Sequence, residues 1–130
     1  MIRHISTSDA PPPFSNYSQA VEVPPGYRLI CISGQVGVDT SGNLAAGERA
    51  QHEQTWRNIL AILASQGLGP ADIVEVTAYV TSQSGVPIYR EVRDGFLKGA
   101  RPASTLLIIS GLADPAWCVE IAVTAAAPVS

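Results

Sequence analysis

The sequence predicts an α+β fold in which one mixed sheet carries two helices on a single face. Two observations lead there. Five stretches are strand-like, either alternating in polarity or continuously apolar, whereas two longer ones space their apolar residues three or four apart. In chain order these elements read β-β-α-β-α-β-β, which suits one sheet backed on one side by helices. At 130 residues, 46% of them hydrophobic, residues 1–130 suffice for one domain with a real core.

The elements follow in order. "DAPPPF" (9–14) reads as a stiff, extended lead-in, because proline fixes φ and has no N–H to donate. "YSQAVEV" (17–23) alternates and predicts a strand. "PPGY" turns into a longer strand, "YRLICISGQVGV" (27–38), whose centre "LICIS" is apolar on both faces and so fits burial between two layers. "DTSGN" closes it as a polar turn. From Glu48 to Gln66 the spacing predicts a helix with Trp56, Ile59, Leu60 and Leu63 on one stripe, stopped by Gly67. "DIVEVTAYVTS" (72–82) alternates again, with Val74, Val76, Ala78 and Val80 on one side and Ile73, Glu75, Thr77 and Tyr79 on the other. A second helix runs from about Val86 to Lys98, and Val86, Tyr89, Val92 and Phe96 share a face. Two apolar strands end the pattern: "STLLIIS" (104–110) and "WCVEIAVTA" (117–125), joined by "GLADPA". With both helices on one face, the other face is expected to be apolar and to need partner chains, so the chain is expected to be an oligomer.

Charge narrows the function. Only 15% of residues are charged, the net charge is −3, and there is no block of Lys or Arg, so no footprint for nucleic acid is seen. The two cysteines, Cys31 and Cys118, lie in apolar runs and read as buried small hydrophobes; no Cys/His cluster suggests a metal. No apolar run of ~20 residues and no N-terminal apolar leader is seen, so a soluble, cytoplasmic protein without membrane contact is expected.

Five segments, "NYSQAVEV", "ISGQVGVDTSGN", "NILAILASQG", "DIVEVTAYVTS" and "VEIAV", together resemble the Rid (YjgF/YER057c/UK114) family from about Tyr17 to Ala125. The motifs Y-S-Q-A, S-G-Q and V-E-I are specific when they occur in this order. The resemblance implies a chorismate-mutase-like fold and a homotrimer with sheets packed inward and ligand clefts between subunits. It implies hydrolysis of reactive enamines and imines, such as 2-aminoacrylate, to 2-keto acids and ammonia, without a cofactor.

Such a substrate carries a carboxylate, and the family anchors it with an arginine in a Pro-Ala-Arg-Ser/Thr stretch. An arginine suits this because its planar fork matches a carboxylate. This chain has Pro102-Ala103-Ser104-Thr105, so Ser104 stands where that arginine would be. Losing a charge-assisted bond of ~1.5–3 kcal/mol weakens an anchor roughly ten- to hundredfold. Arg101 is one substitute if it turns inward past Pro102, although its odd offset from Ser104 otherwise points it to the opposite face, as a solvated surface arginine. Arg90 is another, near where many relatives carry an asparagine beside the cleft. Arg93 shares its helix face at i, i+3, so the two cations could rebuild an anion site, or form an ordinary solvated face with Glu91 and Asp94.

Glu120, in V-E-I, matches the glutamate that lies near the ligand and can orient water. It is the catalytic candidate, with a structural ion pair or an exposed strand face as the alternative. Tyr17 matches the tyrosine that closes the cleft, and Ser33 the serine that lines it; simple packing and a strand-end hydroxyl are the plainer roles. Gly34 and Gly111 read as points of close backbone approach. His4 falls in the lead-in and His52 on an exposed helix face, so no nucleophilic triad is evident.

The sequence thus favours a small-molecule pocket between subunits for a carbonyl- or carboxylate-bearing metabolite, with imine or enamine hydrolysis as its chemistry. A non-catalytic metabolite-binding or interaction trimer is the alternative that Ser104 favours, and a Rid-fold enzyme on another substrate is a third.

Overall fold

The computed structural model describes residues 1–129. Eight strands and helices follow one another: β1 (Arg3–Ile5), β2 (Ala20–Glu22), β3 (Tyr27–Gln35), α1 (Glu48–Ala64), β4 (Ile73–Val80), α2 (Gly85–Leu97), β5 (Ala103–Ile108) and β6 (Val119–Pro128). The main sheet has the order β3-β6-β4-β5. It is mixed: β3 and β4 run antiparallel to β6, whereas β4 and β5 are parallel. A parallel pair needs a long crossover, and α2 supplies it.

Both helices cover one face. Trp56, Ile59 and Leu63 of α1 have no exposed surface, and neither have Ala78 and Val80 of β4 or Val119 and Ile121 of β6. These residues form one core with Tyr89 and Val92 of α2. The predicted alternation in β4 holds except at Ile73, which is buried because a register shift after it turns the strand. After α1 the chain reverses at Gly67 (φ 72°), where the Leu68 N–H returns to the Leu63 carbonyl. A left-handed residue of this kind costs glycine least, so the helix stops where the sequence indicated.

Three expectations need correction. First, the strand expected at 17–23 is not part of the main sheet: it shortens to β2 and forms a separate two-stranded sheet with β1, which precedes the lead-in. Arg3–Ile5 pairs antiparallel with β2, Ile5 opposite Ala20. Proline carbonyls have no ladder to join, and Gln19 Nε2 donates to Pro11 (2.8 Å), Thr7 (3.1 Å) and Ala10 (3.3 Å) carbonyls instead. The hairpin is tied to the β5 end by the Ser18 N–H, which donates to the Pro102 carbonyl at 3.1 Å. Second, within one chain "LICIS" is covered on one face only, so a second layer would have to come from another copy: Ile32 is buried, whereas Leu29 is 60% exposed and Cys31 is exposed. Third, the open face is mixed rather than apolar. Tyr79, Ala122 and Leu107 alternate there with Thr77, Thr105 and Thr124, as the strand registers require.

Candidate functional site

A pocket of about 370 Å³ opens where α2, β5 and the loop before β2 meet. It gathers Tyr17, Arg90 and Ser104, three of the six residues singled out from the sequence, and adds Arg93, Ser15 and Phe14. Its remaining walls are aliphatic, from Val86 and from Leu106 to Ile108. A small volume, apolar walls and a few convergent polar groups are the usual make-up of a small-molecule site.

Register explains why Ser104 faces this pocket. It pairs with Val76 on the parallel neighbour, so its side chain lies on the helix side of the sheet. There it meets α2. Arg93 is only 2% exposed although it is one of two charged residues at the pocket wall. Its Nε donates to Asp94 Oδ1 at 3.0 Å, and the guanidinium lies over the Tyr89 ring, 5.4 Å from the centroid. Nη2 is 3.0 Å from the same Asp94 oxygen yet out of line for a hydrogen bond, and Nη1 reaches Ser15 Oγ only at 3.4 Å. The other Asp94 oxygen accepts from Asn16 Nδ2 at 2.9 Å, which pins the loop carrying Phe14 and Ser15 to the helix. Burial pushes the Tyr89 phenol up from its ordinary range, while the Arg93 charge and the nearby Ser104 hydroxyl pull it back. The Tyr89 hydroxyl makes no aligned hydrogen bond.

Tyr17 separates this pocket from a second one. Its hydroxyl accepts from the Phe14 N–H at 3.1 Å, and its ring lines both cavities. The second cavity, about 460 Å³, is where Arg101 sits, with His4 and Gln19. Arg101 therefore does not turn into the Ser104 pocket; it is exposed at the rim on the far side of Tyr17. Beside it, the Ser18 hydroxyl donates to the Arg101 carbonyl and lies 2.8 Å from His4 Nδ1. With the hydroxyl proton spent on a carbonyl, His4 must be the donor to Ser18, so this pair is not an activated nucleophile.

Ser33 and Glu120 lie elsewhere, on the open face. Glu120 is opposite Tyr79 across the β4–β6 ladder. Its carboxylate rests against Gly34, where a Cβ would overlap Oε2. A register shift between Ile32 and Gln35 brings the two strands this close. Gly34 thus serves close approach as expected; Gly111 does not, since a Cβ there would meet nothing within 4 Å.

Sequence reasoning paired Arg93 with Arg90 but missed that the two differ in burial: Arg90 is exposed and Arg93 is not. It missed Ser15 and Phe14 because the folding-back of the lead-in depends on Gln19 and Asn16 side chains. It also placed His52 on the surface, whereas His52 has no exposed area and both ring nitrogens lack partners. Its position, four residues before Trp56 on the buried stripe, was the signal available. Among the described residues no group of three or more His, Cys, Asp or Glu side chains could hold a metal ion. No helix of the described residues is long and apolar enough to cross a membrane.

Fold and pocket together define a class: a small α+β protein with a compact, partly cationic pocket at a sheet edge. The chain belongs to the Rid family, for residues 7–127 match the family model described as Endoribonuclease L-PSP. A RutC family protein of Aquifex aeolicus is 38% identical, covering 75% of this chain and 76% of its own. The 2-iminobutanoate/2-iminopropanoate deaminase of Mus musculus is 33% identical over 83% of this chain and 79% of its own. A crystal structure of a conserved Rid family protein from Yersinia pestis superposes with a TM-score of 0.85 at 32% identity, covering 95% of this chain and 97% of the other.

Proposed function

We propose that this protein hydrolyses reactive imines and enamines derived from amino acids to carbonyl compounds and ammonia. The observation that carries the reading is the pocket of about 370 Å³ in which Tyr17, Ser104 and two arginines converge on aliphatic walls. Relatives named as 2-iminobutanoate/2-iminopropanoate deaminases support the reaction type.

The chemistry asks little of the protein. An enamine first takes a proton at its β-carbon to become the imine; water then adds to the C=N carbon, a proton passes to nitrogen, and the tetrahedral adduct expels ammonia to leave C=O. Short aliphatic side chains suit the walls formed by Val86, Leu106 and Ile108. Tyr17 closes one side, and Glu120 is the group that orients the attacking water. Glu120 lies on the open face of the sheet and the pocket at its β5 edge. In this reading a homotrimer, its sheets packed inward, lays the Ser33–Glu120 surface of one copy over the β5-edge pocket of the next.

A pyridoxal-dependent dehydratase acting on serine or threonine releases 2-aminoacrylate or 2-iminobutanoate in situ, and semicarbazide traps what remains. With this protein present, keto acid is expected to form faster and less semicarbazone to accumulate. Unchanged trapping at equimolar protein counts against the reaction.

Ser104, in place of the family arginine, favours a second reading: a trimer that binds such metabolites without turning them over. Measurable binding of a keto acid with no change in trapping would select it.

A further inference from the structure

We infer that Arg93 on α2 supplies the carboxylate-binding cation of this pocket, in place of an arginine on β5. The inference rests on the pocket being the ligand site, as in the reaction proposed above, and names its ligands as short 2-imino and 2-oxo monocarboxylates.

Three features carry it. Arg93 is a buried cation with hydrogen-bonding capacity left over: Nε is bound to Asp94, Nη2 lies 3.0 Å from the same carboxylate oxygen but out of line, and Nη1 has only a long contact to Ser15. Burying a guanidinium with unmet N–H groups is costly, and a ligand carboxylate is an acceptor of the right charge and planarity. Next, the guanidinium is held in place before any ligand arrives. Asp94 grips one edge, the Tyr89 ring lies beneath, and Asn16 fixes Asp94 in turn. Such an anchor loses little side-chain freedom on binding. Last, the residue change on β5 is complementary. Ser104 is short and lines the same pocket from the helix side of the sheet, so it takes up little of the volume beside Arg93. A second guanidinium at position 104 would share that volume with the first.

Arg90 lines the same pocket but is exposed, so water screens it and its contribution is small.

The test uses 2-oxobutanoate and its uncharged amide as probes, read by calorimetry, with imine trapping measured in parallel. Arg93→Gln is expected to weaken 2-oxobutanoate binding roughly ten- to hundredfold and to leave the amide unchanged. Arg90→Gln is expected to change it less than threefold. Ser104→Arg alone is expected to weaken binding, whereas Arg93→Ser with Ser104→Arg recovers at least tenfold over Arg93→Ser. If Arg93→Gln does not fold, wild-type protein labelled with 15N-arginine gives the answer: 2-oxobutanoate must shift the Arg93 Nε–H signal, and the amide must not. Wild-type binding of 2-oxobutanoate that is undetectable, that survives Arg93→Gln, or that leaves the Arg93 signal still overturns the anchor. Arg93-dependent binding without accelerated trapping upholds the anchor and defeats the hydrolase; accelerated trapping insensitive to Arg93→Gln does the reverse.

Discussion

Gly34 on β3 and Glu120 on β6 pack so closely that nothing larger than hydrogen fits at position 34 unless the carboxylate moves. The obstacle is the far end of a flexible side chain, so a methyl group there displaces Glu120 rather than breaking the sheet. This separates the position of the carboxylate from the stability of the fold.

Gly34→Ala and Glu120→Gln are therefore expected to give folded proteins with melting temperatures close to wild type. If Glu120 orients the attacking water, both lose roughly 10²–10⁴-fold in imine hydrolysis, the usual worth of a general acid or base. Imine trapping with each variant checks this. A fully active Glu120→Gln would remove Glu120 from the chemistry.

Gly37 gives the contrasting case. A Cβ there would lie 2.6 Å from the Gln51 Cα and 2.8 Å from its carbonyl oxygen. Backbone cannot swing aside, so the loop after β3 must part from α1. Gly37→Ala is expected to cost about 3 kcal/mol and to lower the melting temperature by roughly 10 °C. Thermal unfolding followed by circular dichroism measures it, and a shift under about 2 °C would show that the loop yields freely.

The same contrast explains what was legible in the sequence. Alternation at Val76, Ala78 and Val80 and the stripe from Trp56 to Leu63 reflect burial of bulk apolar surface, which dominates folding and repeats along the chain. The main strands and both helices followed from it. The burial of Arg93 and of His52 was missed because a polar residue on a helix is read as solvated by default, and only tertiary packing from a second element buries it. Tyr89 connects the two, with its ring 6.3 Å from that of His52 and its other surroundings set by Arg93. Strand β1 has three residues, too few to show a period, and its partner lies across a proline loop. Tyr17 and Ser104 were found through motif resemblance, but their shared pocket depends on the Asn16–Asp94 contact, which links positions 78 residues apart.

The two thiols report on assembly. Cys118 is half-buried, and burial with the nearby Glu48 charge pushes its thiol up to about 11, so it stays protonated and slow near neutral pH. Cys31 is exposed on the open face of the single chain. If three sheets pack inward, that face is covered. Native protein is then expected to react slowly at both cysteines with an aromatic disulfide reagent, and denatured protein to react quickly at both. Rapid modification of Cys31 in native protein, with a monomer mass in light scattering, would refute the trimer.

His52 sets a pH dependence of stability. Burial holds its ring at about 4 against an ordinary 6.5, and the Arg49 charge adds to the effect. Tyr89 packs near it from α2, and neither ring nitrogen has a partner to receive or compensate a proton. Between pH 6.5 and 4 the unfolded chain therefore binds a proton at this histidine that the native protein excludes. Stability falls as the pH falls through that window, by about 3 kcal/mol in all, and His52 contributes no further loss below it. Carboxylates also titrate near the lower end, so the diagnostic quantity is the difference between wild type and His52→Leu. Urea unfolding at pH 7.5, 5.5 and 4.5 is expected to show wild type losing more stability than the variant at each step, with the gap widening by about 2–3 kcal/mol in total. Parallel losses in the two proteins would mean that His52 is protonated, and partnered, in the native state.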